Sequence, residues 1–502
     1  MTTVRSASGG KETARETFDS INPRTDEVVE SYPIHTAEDV DEAVKRAREA
    51  ATWWEGLGFA GRAERLTRWK GVITRRAAQL ADVVHADTGK PHSDAMIEII
   101  LVIDHTAWVA RNARKILGPQ RRWPGLLMSN HAASVEYPPL GVIGVIGPWN
   151  YPVFTPMGSI VYALAAGNAV VFKPSEFTPT VGKWLADTFA DVVPEHPVFQ
   201  LITGYGGTGA ALCRSGVDKI AFTGSAATGR KIMAACAATL TPVLIEAGGK
   251  DALIVDEDAD VEAAADAAVW GGMSNAGQTC VGVERVYAHE RVYDSFVAKV
   301  VEKAKSVRAG GDPDAKIGPI TMPAQLDIIR RHIADALERG GKALVGGVDA
   351  VGDRFVQPTV LVDVPEDSTA VREETFGPTL TIAKVKNMDE AIAKTNDTKY
   401  GLGSAVYSKR RGMELARRIR SGMTSVNSMI SFAGVPALPF GGVGDSGFGR
   451  IHGPDGLKEF TRAKAIARQR FRIPLELTTF SRTEKTDSQV AKLINILHGK
   501  RS

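Results

Sequence analysis

The sequence predicts an α/β fold built on parallel sheets and divided between two domains. Three observations predict it. Short apolar runs bounded by Gly or Pro alternate with longer segments of helical period. At 502 residues the chain exceeds what a single hydrophobic core serves. Glycine supplies 50 residues, above the roughly 7% of ordinary composition, as expected where many tight turns and close backbone approaches surround a bound molecule.

The elements follow in order. Thr36 and Asp39 make a capping-box-like start for a helix through Trp53, and helical pattern fills about 60–117. The runs GVIGVIG at 141–147, NAVVFKP at 168–174, VFQLITG at 198–204 and KIAFTG at 219–224 read as strands buried on both faces, joined by helical crossovers. A second series begins with DALIVD at 251–256, continues with a helix from about Val261 and RVYAHE at 285–290, and adds strands near 355–364 and 379–386. The division falls near 246–250, which gives one domain over 1–119 with 141–245 and a second over 246–440. The stretch 120–140, with its Pro and Trp residues, fits neither.

Charge and cysteine usage narrow the class. The formal net charge of +3 is spread along the chain without a block of like charge or an aromatic–basic stretch, so nucleic acid is not an expected partner. Three cysteines, at 213, 236 and 280, include no CxxC pair and make no disulfide framework; a reducing compartment and no metal site are expected. The first twenty residues show no apolar signal core and no run reaches the ~18 apolar residues of a membrane span. The expectation is a cytoplasmic protein.

Chemistry concentrates in a few places. Cys280 lies in SNAGQTCVGVER, expected at the end of the helix from Val261, where it is either a nucleophile or a small buried hydrophobe. Glu246 follows the apolar VLI and precedes AGGK, so a carboxylate ends a buried strand and must be paired, solvated or functional. Asn150, in PWNYP after GVIGVIG, is either an amide donor for developing negative charge or an Asx turn. The turn from Gly224 and Ser225 to Gly229 opens a helix whose free N–H groups suit a pyrophosphate. Lys173 and Glu176, in VVFKPSE, stand at another strand end where a ribose could be held.

Taken together, PWNYP at 148–152, FKPSE at 172–176, FTGSAATG at 222–229, IEAGGK at 245–250, GQTC at 277–280, EETFGP at 373–378 and PFGGVGDSGFGR at 439–450 closely resemble the NAD(P)-dependent aldehyde dehydrogenase superfamily. The resemblance runs in order from about residue 20 to 465, and the 34-residue interval from Glu246 to Cys280 matches the family's spacing of base and nucleophile. It implies an aldehyde-dehydrogenase-like fold of two Rossmann-like α/β domains with a small β oligomerisation element, here 120–140 and 460–502, and hence a homodimer or homotetramer. It implies Cys280 as nucleophile, Glu246 as general base, and Asn150 with the Cys280 N–H as oxyanion hole. It further implies that Lys173 and Glu176 hold the adenine ribose of NAD, that Ser225 in the 224–229 turn meets the pyrophosphate, and that Glu374 holds the nicotinamide ribose. Phe376 and Trp149 would line the cofactor cleft. NADP remains possible, because Lys173 and Ser175 could meet its 2′-phosphate.

For the substrate, Phe154, Met157, Gly158, Ile430 and Phe432 are expected to line an apolar tunnel, which points to an apolar or aromatic aldehyde. Departures from the family pattern are Ala247 in place of the usual Leu, VGDSG in place of a lysine-bearing segment after PFGG, and Pro454 where many members carry a glutamate. Two other functions remain at this stage: a CoA-acylating semialdehyde dehydrogenase, and a non-catalytic binding protein on the same fold.

Overall fold

The computed structural model describes residues 15–473 and 478–499. Most of the stretch read for a signal core, 1–14, and the last residues of the tail, 500–502, lie outside them. The described residues form two compact units, one of those up to Ile116 with Pro139–Thr461, the other of Leu117–Pro138 with those from Arg462 onward.

The larger unit carries two mostly parallel sheets. In the first, the strands run in the order Gly447–Phe448, Val243–Ala247, Lys219–Gly224, Val142–Ile146, Ala169–Lys173 and Phe199–Leu201. All neighbours are parallel except the short Gly447–Phe448, which pairs antiparallel with Ile245 and Glu246. Chain order reverses between Val142–Ile146 and Lys219–Gly224, the switch point outside which α/β sheets bind ligands. The strand cores are buried on both faces, which explains why they read as continuous apolar runs.

The second sheet orders Lys342–Val345, Thr359–Val362, Thr379–Val385, Val283–His289, Asp251–Val255, Ser404–Tyr407 and Ser425–Val426. Only its first pair is antiparallel. The chain passes from one sheet to the other over three residues, 248–250, so Glu246 on one sheet and the segment before Val283 on the other are brought to one place.

Helix starts follow local chemistry. Thr36 and Asp39 form a full capping box at the helix Ala37–Gly56. The helix from Val261 stops at Met273, earlier than its periodicity suggests, and a 3₁₀ turn Ser274–Gly277 follows with Asn275 and Ala276 at φ 51° and 56°. Cys280 therefore sits in a turn ahead of Val283–His289 rather than at a helix end. The strands at 17–21, 28–33, 342–345, 404–407 and 425–426 escaped the sequence reading, being short or half-exposed.

The smaller unit is a three-stranded antiparallel sheet in the order Lys464–Gln469, His131–Glu136, Gln120–Arg122, followed by the helix Glu484–His498 capped by Thr483. Among the described residues no helix is long and apolar enough to cross a membrane.

Candidate active site

Cys280 and Glu246 meet. The thiol lies 3.7 Å from Glu246 Oε1, and Thr223, paired with Glu246 across the sheet, donates its hydroxyl to Oε2 at 3.4 Å. Glu246 is 2% exposed, and burial pushes its carboxyl up to about 7. Burial, with the charges of Glu246, Glu374 and Asp251, drives the Cys280 thiol well above its ordinary value. Sulfur and carboxyl thus compete for one proton in a dry site.

Asn150 is buried, and its Nδ2 donates to the carbonyl of Gln278, two residues before the nucleophile, at 2.9 Å. Tyr151 and Thr279 share a hydroxyl–hydroxyl bond of 2.9 Å. Segments 150–151 and 278–280 are therefore stitched side by side, although they come from different sheets.

The residues expected at the cofactor gather at carboxyl ends of the first sheet. Ser225 caps the helix Ala226–Ala237, accepting from Thr228 N at 3.2 Å. A Cβ on Gly229 would stand 3.1 Å from Ile245, so glycine lets this helix lie close on the sheet; Gly224 ends the strand before it. Lys173 closes its strand with Nζ on the Pro174 carbonyl at 2.9 Å, and burial lowers its ammonium against the opposing pull of Glu176. Ser175 Oγ faces Glu176 Oε2 at 3.4 Å. A helix N-terminus, a lysine and a carboxylate at the carboxyl ends of one parallel sheet are the groups that a pyrophosphate and a ribose need.

Glu374 accepts from Gly249 N at 3.1 Å, and burial raises its carboxyl to about 8. A Cβ at Gly248 would overlap that carboxyl group, so Gly248 is what admits Glu374. The Phe376 and Trp149 rings meet edge to face at 5.5 Å. Sequence reasoning missed what holds this loop. Glu284 accepts from Thr375 N and Phe376 N and pairs with the fully buried Lys250.

An apolar cleft opens over Cys280, lined by Phe154, Thr155, Ile97, Leu101, Trp270 and Ile430 among others. Of the five residues expected there, Phe154 and Ile430 line it and Met157, Gly158 and Phe432 do not. Met157 belongs to the core at 1% exposure. Gly158 shares a helix face with Phe154 but has no side chain: its space is taken by His452 and Ile451, 2.7 and 2.9 Å from where a Cβ would stand, and Ile451 reaches the cleft. Phe432 backs onto Phe440, which lines the cleft in its place. Pro454 lies in the first turn of the helix Gly453–Glu459, outside the lining. Asp94 and Glu98, on the wall, were also missed; the lone acid in MIEIILVI at 96–103 was the available signal for Glu98.

A two-sheet α/β fold with a thiol–carboxyl pair near the carboxyl ends of its first parallel sheet is that of an oxidoreductase. The sequence model described as the Aldehyde dehydrogenase family matches residues 11–466. The chain belongs to the aldehyde dehydrogenase family. It is 36% identical over 447 residues to a putative succinate-semialdehyde dehydrogenase [NADP(+)] of Mycolicibacterium smegmatis, covering 88% of this chain and 86% of that one. It is 33% identical over 494 residues to the 4,4'-diapolycopene aldehyde oxidase of a Methylomonas species, covering 97% and 92%. Among solved structures, the NAD-dependent aldehyde dehydrogenase from Sinorhizobium meliloti superposes with a TM-score of 0.88 at 33% identity, over 92% of this chain and 93% of that one.

Proposed function

We propose that this enzyme oxidises an apolar or aromatic aldehyde to the carboxylic acid with NAD(P), through a thioester on Cys280 that water resolves. The observation that carries the reading is the 3.7 Å contact of the Cys280 thiol with a buried carboxyl at the floor of an apolar cleft. Glu246 takes the thiol proton, and sulfur adds to the aldehyde carbon. The former carbonyl oxygen is held by the Asn150 amide and the Cys280 N–H. Bound nicotinamide supplies the hydride acceptor. Lys173, Ser175, Glu176, Gly224, Ser225, Gly229, Glu374, Phe376 and Trp149 hold the dinucleotide, and Glu176 favours NAD. Glu246 passes the thiol proton on to solvent and, as carboxylate again, deprotonates the water that releases the acid. A base in contact with the thiol is the argument for water over CoA as the acyl acceptor.

No Lys or Arg is among the residues lining the cleft. A substrate carboxylate would lose hydration there without gaining a cationic partner. Domain 1–119 with 141–245 serves the dinucleotide and 246–440 the nucleophile, while 120–140 and 460–502 make a homodimer or homotetramer in the cytoplasm. The test is NADH or NADPH formation across n-alkanals, benzaldehydes and succinate semialdehyde, with and without CoA. Turnover without CoA and a higher kcat/KM for the uncharged aldehydes is expected; dependence on CoA, or preference for the semialdehyde, refutes the reading.

A further inference from the structure

The buried lysine at 90 is not part of any motif that resembles the family's chemistry, nor does it line the cleft. It follows the helix Ala77–Thr88 and the left-handed cap Gly89, where a Cβ would run into Pro319. Only 2% exposed, its Nζ donates to Glu98 Oε1 at 3.1 Å and to the carbonyl of Asn150 at 2.6 Å, and stands 4.4 Å from the centre of the Tyr151 ring. Glu98, 1% exposed, spends its other oxygen on the N–H groups of Val153 and Phe154, at 3.0 and 3.1 Å, at the start of the helix Phe154–Ala166.

The same Asn150 carbonyl receives a second bond, from Asn275 Nδ2 at 3.0 Å, and Asn275 Nδ2 also reaches the Gln278 carbonyl at 3.2 Å. That carbonyl is the acceptor of the Asn150 side chain. Gln278 is fixed in turn by Nε2 bonds to the carbonyls of Asn275 and Pro319 and by accepting Thr321 N. One ammonium thus anchors the backbone of the amide donor, the ring of the residue after it, and, through shared acceptors, the loop that ends in Cys280.

A buried ion pair is expensive and by itself weak evidence of stabilisation, since apolar replacements of such pairs are often neutral. Here its bonds run to the main chain of residues 150 and 153–154 rather than to further charged side chains, so its effect is geometric. We infer that Lys90, held by Glu98, is a positioning residue that sets the Asn150 amide against the Cys280 loop, and so contributes to the reaction through Asn150 without touching substrate. This rests on the reading of Asn150 as the oxyanion donor.

The test is a double-mutant cycle in the holoenzyme, read as the pre-steady-state rate of NADH formation together with aldehyde KM and NAD Kd. Lys90→Met lowers the rate about 10- to 100-fold, less than the ~10²- to 10³-fold typical of deleting an oxyanion donor, with KM and Kd within about threefold. In an Asn150→Ala background the same substitution changes the rate by less than about threefold, because the donor it aims is gone. An equal loss in both backgrounds overturns the inference and leaves the oxyanion reading standing. An Asn150→Ala enzyme as fast as wild type overturns the oxyanion reading, and the inference with it. Should Lys90→Met fail to fold because Glu98 loses its buried ionic partner, Lys90→Met/Glu98→Gln runs the same cycle without an unmatched buried carboxyl.

Discussion

Substituting Glu246 by Gln tests the mechanism at its centre. The carboxyl is pushed up to about 7 by burial, and its nearest partner is the thiol it must deprotonate. A raised acid is in its basic form above its titration point and loses that form below it, so catalysis by Glu246 rises with pH. About a tenth of the carboxyl is ionised at pH ~6 and about nine-tenths at pH ~8, so wild-type turnover should rise about tenfold across that window. Glutamine keeps the shape but accepts no proton. Glu246→Gln should therefore lose about 10²- to 10⁴-fold in steady-state turnover and lose the titration near 7. Because the carboxyl touches sulfur, the NADH burst should also slow, by less than the steady state, while its amplitude persists. The assay is stopped-flow NADH absorbance beside steady-state rates from pH ~6 to ~9. A flat wild-type profile, or a variant that keeps the tenfold rise, would falsify the assignment of Glu246 as base.

Three further substitutions address separate parts of the site. Cys280→Ser should abolish turnover while NAD still quenches protein fluorescence as in wild type, since a hydroxyl is a far weaker nucleophile near neutral pH; near-native activity refutes the covalent route. Glu176→Gln should shift the NAD-to-NADP ratio of kcat/KM toward NADP by about 1–3 kcal/mol, because the carboxylate repels a 2′-phosphate in a partly dry crevice; an unchanged ratio, or a wild type that prefers NADP, refutes the role. Gly248→Ala puts a methyl group where the Glu374 carboxylate lies, so NAD Kd should rise at least about tenfold while the melting temperature falls only slightly; unchanged NAD affinity shows that Glu374 does not serve the cofactor.

What the sequence revealed, and what it hid, follows from how far apart the interacting residues are. The strands at 142–146, 169–173 and 219–224 are legible because burial on both faces makes them apolar throughout. The capping box at Thr36 is legible because its partners are three residues apart. Lys90 was invisible as a site residue, and the lone acid Glu98 was legible only as an oddity in an apolar run, because their meaning lies in the backbone at 150–154, which only the fold brings near. Glu284 was passed over inside GVERV for the same reason: its partners are Lys250 and the main chain of 375–376. At the cleft, Gly158 lies on the helix face of Phe154, but a residue without a side chain hands its space to neighbours, and no local pattern says that Ile451 takes it.

The charge state of the site as a whole sets the upper limb of the pH profile. Three buried carboxyls act on the Cys280 thiol: Glu246, raised to about 7, and Glu374 and Asp251, each raised to about 8, with burial the leading cause in every case. Like charges in a dry site cannot all form together, so near neutrality Glu374 and Asp251 hold their protons and the thiol–Glu246 pair shares a single negative charge. That is the condition under which sulfur can pass its proton to Glu246. A protonated Glu374 can also donate to a ribose oxygen while it accepts Gly249 N. Above about pH 8 the two outer carboxyls ionise, and each added charge pushes the thiol further up, which opposes attack while Glu246 stays basic. The burst rate should therefore rise through about 7, flatten, and fall beyond about 8.5, giving a bell whose upper limb reports these neighbours rather than Cys280 alone. Glu374→Gln removes one of the two charges without removing the base, so its burst profile should keep its lower limb and lose part of the fall. A wild-type burst rate that climbs without inflection to pH ~9.5 would show that the thiol does not feel this cluster.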